Sequence, residues 1–158
     1  MPRYQSLQEA YEKCQKEGLL RFQEEIDTAK IKHMITLSQA DVDAAKQLSK
    51  SLPKESIGWN TIYKLHYDAL HSLTEAFLRF NRIKSSNHQC LFAHLCHEHL
   101  ELEFNWNLFE KIRTQRNGIL YYGTPIAYED WKAIELQVQL YIKTLREAIE
   151  KKLEKLVL

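Results

Sequence analysis

Apolar residues recur every three or four positions along most of the chain, which is the spacing of one face of an α-helix. The clearest stripe follows Ser56, a residue placed to cap a helix, and consists of Ile62, Leu65, Ala69, Leu73, Ala76, Phe77 and Phe80. A second long stripe consists of Trp131, Ile134, Val138, Tyr141, Leu145, Ile149, Leu153 and Leu156. We expect both helices to contribute much of the core.

Weaker patterns predict helices before the first long stripe. Residues 4–16 have helical spacing, and after Gly18 a similar pattern over 19–29 predicts a helical arm with one interruption. Ser38, with an acid three residues later, is placed as the N-cap of a short helix that ends before Pro53.

Capping signals also divide the second half of the chain. Ser86 and Gln89 have the spacing of a capping box, which predicts a helix through about residue 100. A further helix is expected over 102–122, with Gly123 as its stop. Thr124-Pro125 then predicts the start of the last helix.

Glycine and proline are too sparse for a protein built of many strands. The 158 residues include four glycines and three prolines. Long helices joined by short loops predict an all-α fold with an antiparallel helix bundle. We expect a single domain, in which residues 36–158 form the bundle and residues 1–35 form an N-terminal helical extension packed on it.

Composition limits the classes of partner and the location. The formal net charge is +1, so any phosphate binding must be local. No apolar run approaches the roughly 18 residues that cross a bilayer, and no apolar signal segment begins the chain. Cys14, Cys90 and Cys96 are odd in number and lack the spacing of a disulfide framework. We therefore expect a soluble cytoplasmic protein with no membrane partner.

Side chains of the types that bind metals are concentrated on one predicted helix, where Cys90, His94 and His97 share a face, and close to that face. They are Cys90, His94, Cys96, His97, His99 and Glu101. Zinc usually takes ligands from separate elements, and the chain has no clear second half of a CxxC or HxxxH motif. We interpret these residues as structural and expect no metal and no cofactor.

The candidate site is the segment RTQRNGILYYG, residues 113–123. At helical spacing its polar residues Arg113, Arg116, Asn117 and Tyr121 share one face, whereas Tyr122 turns towards the core. Arginine binds phosphate through two parallel hydrogen bonds, asparagine both donates and accepts, and tyrosine offers a stacking surface. This combination suits an RNA phosphate and base. The alternative interpretation is a solvated helix face near the C-terminus of the helix, where cations also complement the helix dipole.

Histidines near this face bear on whether the site is catalytic. We interpret His88 as a structural residue at a helix start. His66 and His71 lie on the long helix, and either of them could approach Arg116 and supply a base. The three tryptophans lie among periodic apolar residues and are interpreted as core or interface anchors, not as base-stacking surfaces: Trp59, Trp106 and Trp131.

Two segments together resemble the HEPN superfamily of small helical bundles. Residues 59–95 are similar to the long helix, short connection and "SxH" helix start of that family, and residues 113–123 are similar to its Arg-x(4 to 6)-His segment. The resemblance covers residues 36–156. It implies an up-and-down four-helix core, a homodimer with the two Arg-containing helices facing across a cleft, and metal-independent endoribonuclease activity. Some members are toxins with a nucleotidyltransferase partner.

In this resemblance Arg116 matches the family arginine and Asn117 the polar residue after it. The family histidine falls on Tyr121, or on Tyr122 with longer spacing. A phenol with a pKa of about 10 is a poor base at neutral pH. We therefore expect RNA or nucleotide binding with weak or lost cleavage. The alternatives are an active ribonuclease toxin of a toxin–antitoxin or defence system, and a non-enzymatic helical module that binds another protein.

Overall fold

A computed structural model describes residues 4–157 and shows an all-α protein, as the sequence predicts. In this part of the chain the elements are α1 (Leu7–Lys16), β1 (Arg21–Phe22), α2 (Thr28–Ser49), α3 (Gly58–Arg79), β2 (Ile83–Lys84), α4 (His88–Glu98), α5 (Trp106–Tyr121) and α6 (Tyr128–Val157). A single 3-10 turn, Leu100–Leu102, joins α4 to α5. No helix of the described residues is long and apolar enough to span a membrane.

Helix α3 is the centre of the molecule because most of its side chains are buried, while a largely polar face with Thr61, Asp68 and Glu75 stays accessible. It contacts α2, α4, α5 and α6. Its buried side chains include most of the predicted stripe together with Tyr63, Tyr67 and Leu70, while Leu65 and Phe80 are half-buried. A helix with so wide an apolar face is stable only when several other elements cover that face, which explains this position.

The three tryptophans are core residues, as predicted. Trp59, Trp106 and Trp131 are all buried. Each indole N–H also has a hydrogen-bond acceptor, which a buried indole requires. The acceptors are the carbonyl oxygens of Pro53 and Gln5 and the carboxylate of Glu135.

The prediction that residues 19–29 continue the N-terminal arm as a helix is wrong. Gly18, at φ +63°, ends α1, and Arg21 and Phe22 then form a short strand instead of a helix. They pair antiparallel with Lys84 and Ile83. A partner more than 60 residues away decides this local structure, so periodicity within the segment cannot reveal it.

Ser38 does not begin a helix, so that prediction is also wrong. Helix α2 is continuous, and its N-cap is Asp27, whose carboxylate accepts the backbone N–H of Lys30 at 3.0 Å. Ser38 is buried, and its hydroxyl donates to the Ile35 carbonyl at 2.8 Å. The boundary expected between residues 1–35 and residues 36–158 therefore falls inside α2, and no helix or strand begins or ends there.

The remaining capping predictions have mixed outcomes. Asn87, not Ser86, caps α4 by accepting the backbone N–H three residues later at 2.9 Å. Gly123 adopts φ +61° after α5, as expected of a helix stop. Helix α6 begins after Thr124-Pro125, at Tyr128, where the carboxylate of Asp130 accepts the Ala127 N–H at 2.8 Å.

A disulfide joins Cys14 of α1 to Cys90 of α4. The expectation of unpaired cysteines is wrong for this pair, because residues 76 positions apart meet when α1 packs on α4. Cys96 remains a buried free thiol. The cysteines therefore do not support a reducing compartment, and the cytoplasmic location stays a prediction.

Candidate functional site

An open cleft of about 360 Å³ lies between the start of α4 and the second half of α5. Helix α5 lines it with Arg113, Arg116, Asn117 and Tyr121, and the start of α4 with Ser86, Asn87, His88 and Gln89. The structure thus brings together all four residues that the sequence places on one face of α5.

Helical spacing explains how α5 presents this face. Leu108, Phe109 and Ile112 are buried against the core and fix the rotation of the helix. The polar residues lie three, four and eight positions after Arg113, so they project into the cleft one turn apart.

Arg113 is held by a buried carboxylate. Glu110, only 2% exposed, accepts from Nε and Nη2 of Arg113 at 3.0 and 3.1 Å, and from Nε2 of Gln89 at 3.1 Å. This network joins α5 to α4 and offsets most of the Arg113 charge. Sequence analysis did not identify Glu110, although its position three residues before Arg113 is the spacing of a helical ion pair.

Arg116 has no such carboxylate partner. Among residues 4–157 no acid lies within ion-pairing distance of its guanidinium, and its buried Nε has no hydrogen-bond acceptor. The guanidinium carbon lies 5.1 Å from the ring centre of Tyr67, and Nη1 donates to Asn117 at 3.4 Å. Arg116 therefore has no direct ion-pair partner among the described residues and keeps unused donors at the cleft. Its charge nevertheless acts on Asp68, since burial raises the pKa of that carboxyl group and Arg116 offsets part of the rise.

The start of α4 adds to the positive potential of the cleft. The first backbone N–H groups of a helix have no intrahelical acceptor, and the helix dipole favours negative charge at that end. Asn87 caps one of these groups, and the first turn of the 11-residue helix faces Arg116 across the cleft. An anion in the cleft would meet both sources of positive potential.

His88 belongs to the same cleft, contrary to its interpretation as a purely structural residue. Its Nδ1 lies 2.9 Å from the hydroxyl of Tyr67, and its ring stacks on His71 at 3.8 Å between centres. Burial, with the nearby charges of Arg116 and Arg113, lowers the pKa of His88, so the imidazole is neutral near pH 7. The tautomer decides whether Nε2 donates or accepts a proton.

The two histidines of α3 have different positions. His71 stacks behind His88. Burial is the main cause that lowers the pKa of His71 to about 3, and the charges of His88 and Arg116 add to the effect. His66 lies instead against Trp131, 4.4 Å between ring centres, with Nδ1 2.9 Å from the carbonyl of Ile62. Only His71 approaches the Arg116 face.

The adjacent tyrosines differ from expectation in one case. Tyr121 lines the cleft as predicted and is 69% exposed. Tyr122 is 77% exposed, so its assignment to the core is wrong. Helix α5 ends at Tyr121, and the helical phase used to place Tyr122 no longer applies one residue later.

The cysteines and histidines in and just after α4 contact other residues of the protein. Cys90 is in the disulfide, and no group of three or more potential metal ligands has suitable geometry in residues 4–157. His97 instead stacks on Tyr11 with ring centres 3.7 Å apart, and His99 lies 3.2 Å from Glu101.

Comparison of the whole chain with protein-family models, with curated proteins and with solved structures found no match.

Proposed function

We propose that the cleft between α4 and α5 binds a phosphate group of RNA or of a nucleotide. Arg116 carries the proposal, because it presents a charge without a carboxylate partner and a buried Nε without an acceptor. An unsatisfied buried donor on a charged group is costly, and a phosphate oxygen would satisfy it.

The other residues of the cleft suit the same ligand. Arg113, held in place by Glu110, offers the phosphate the guanidinium donors that Glu110 does not use. Asn117 offers an amide, and the exposed ring of Tyr121 offers a stacking surface for a base. The aromatic surface beside the phosphate site favours a nucleotide unit over a bare anion.

The resemblance to the HEPN superfamily supports the choice of RNA. Under this proposal the helices form a HEPN-like four-helix core, and two copies place their Arg116 helices across a shared cleft. Tyr121 stands where the family has histidine, so cleavage would be weak or lost. A nucleotidyltransferase is the protein partner that the resemblance suggests, and a non-enzymatic interaction module is the alternative if RNA does not bind.

Arg116→Ala is expected to weaken binding of a labelled single-stranded oligoribonucleotide roughly tenfold or more, because a charge-assisted contact is lost. Fluorescence anisotropy over a series of salt concentrations measures the change. The slope of log affinity against log salt concentration should also decrease by about one, as expected when one phosphate contact is lost. Lys50→Ala is the matched control, since Lys50 is an exposed cation that does not line the cleft. Equal affinities for the Arg116→Ala variant and the wild type would remove the proposed site.

Metal-independent RNA cleavage is a second candidate function, and the position of His88 in the cleft favours it. In the tautomer that donates from Nδ1 to Tyr67, the lone pair of Nε2 is free to take a proton. The ribose 2′-OH would give its proton to Nε2 while the 2′-oxygen forms a bond to the phosphorus. The 5′-oxygen would leave and take a proton from water, while Arg116 stabilises the charge on the phosphate oxygens.

His88→Ala is expected to slow such cleavage by roughly 10²- to 10⁴-fold, the usual contribution of a general base, while RNA binding changes far less. The assay follows a labelled RNA in EDTA with the wild type and with the His88→Ala and His33→Ala variants. His33 is an exposed histidine on α2 and serves as the control. If the wild-type protein binds RNA but does not cleave it, the cleavage hypothesis is excluded and the binding proposal is unaffected. Cleavage that persists in His88→Ala would exclude His88 as the base.

A further inference from the structure

A second cavity of about 360 Å³ lies between α2, α3 and α6 and shares no lining residue with the cleft. Its volume is within the range of small-molecule sites. Part of the wall is apolar and rigid: Ala45, Ile62 and Ile142 are buried core residues, and Val42 packs beside them. This wall suits a hydrocarbon group.

Three cations line the same cavity: Lys46 from α2, and Lys143 and Arg146 from α6. Arg146 is the most constrained of them. Its Nε and Nη2 atoms are buried, and no acceptor within residues 4–157 bonds to either. Arg146 as a whole is half-buried, but buried guanidinium N–H groups normally have acceptors, so the two unsatisfied nitrogens of Arg146 indicate an anionic ligand.

The other polar groups of the wall do not neutralise these cations. Glu135 is the only acid among the described lining residues, and its two oxygens accept from the indole of Trp131 at 2.9 Å and from Lys132 at 3.0 Å. Burial lowers the pKa of His66, so its imidazole is neutral near pH 7. The cavity therefore keeps a local excess of positive charge, although the chain as a whole is almost neutral.

We propose that this cavity binds a small amphipathic carboxylate. The carboxylate accepts hydrogen bonds from Arg146 with Lys46 and Lys143 nearby, and the aliphatic body packs against Ile62 and Ile142. A planar guanidinium matches the two oxygens of a carboxylate, and the buried side chains of Ala45, Ile62 and Ile142 suit an aliphatic body. This site is independent of the proposed RNA-binding cleft.

Calorimetric titration of the full chain with octanoate, below the concentration at which it forms micelles, tests the proposal. Octanoate should bind saturably at one site. Octanol lacks the charge and acetate lacks the hydrocarbon body, so both should bind at least roughly tenfold more weakly, since each loses one class of contact. Equal binding of octanol and octanoate would overturn the proposal.

Variants then locate the site. Arg146→Gln should weaken octanoate binding roughly tenfold to a hundredfold, as expected for a lost charge-assisted contact. Lys151→Gln, which removes an exposed charge from the same helix outside the cavity, should leave it unchanged. Lys46→Gln alters an exposed side chain of α2 that does not support the fold, and should weaken binding a few-fold. Wild-type affinity in both Arg146→Gln and Lys46→Gln would overturn the proposal, whatever RNA binding shows.

Discussion

Replacing Cys14 and Cys90 together with alanine is expected to lower the free energy of unfolding by about 2–4 kcal/mol. The disulfide joins residues 76 positions apart, so it strongly restricts the unfolded chain. Alanine suits the test because both positions are buried, where serine would introduce a hydroxyl without a partner. Chemical denaturation followed by far-UV circular dichroism measures the change.

Reductant separates the cross-link from side-chain packing. With dithiothreitol the wild type should lose most of this stability, whereas the double-alanine variant should not respond. Cys96, a buried free thiol, is present in both proteins, so any effect of the reductant on it is the same in both. A wild type whose unfolding is the same with and without reductant would contradict the assigned role of the disulfide.

Between pH 7 and pH 5 the wild type is expected to lose about 2 kcal/mol more stability than a His71→Gln variant. Burial and the nearby charges of His88 and Arg116 lower the pKa of His71 to about 3 in the folded protein. The unfolded state, with an ordinary histidine pKa near 6.5, therefore binds more protons in this interval. Stability consequently falls as the pH falls below about 6.5, and the loss grows until the pH reaches the folded pKa.

Neighbouring acids do not change the sign of the comparison. Glu75 lies 3.6 Å from Nε2 of His71, beyond hydrogen-bonding distance, and burial raises the pKa of Glu75 itself. Both proteins contain Glu75, so its titration contributes to both curves. His33→Gln, at an exposed histidine, should retain the wild-type pH dependence. Parallel curves for the wild type and His71→Gln would show that His71 is not buried in its neutral form.

Strong local patterns in the sequence predict the long helices and one face of the site. The apolar stripes of α3 and α6 extend over several turns, so burial of one side is almost unavoidable. The grouping of Arg116, Asn117 and Tyr121 follows from the same geometry within a single helix. Tyr122 shows the limit of this reasoning, because helical phase has no meaning one residue after the helix ends.

Features made by distant segments could not be read from local patterns. The strand at Phe22 needs Ile83, and the disulfide needs α1 to dock on α4. His88 reaches Arg116 only because α4 and α5 lie side by side, tied by Glu110 and Gln89. The sequence contains these residues but not their proximity, so the face of α5 was predicted and the opposite wall of the cleft was missed.

The packing of α1 on α4 also has a consequence for the timing of synthesis. Helix α1 is synthesised before α4, and Cys14 can pair only when Cys90, 76 residues later, has been synthesised. At roughly 5–20 residues per second, that interval is about 4–15 s of translation. During this time the face of α1 that contains Ala10 and Cys14 has no α4 to cover it. Helix α1 therefore cannot reach its final position before α4 has been synthesised.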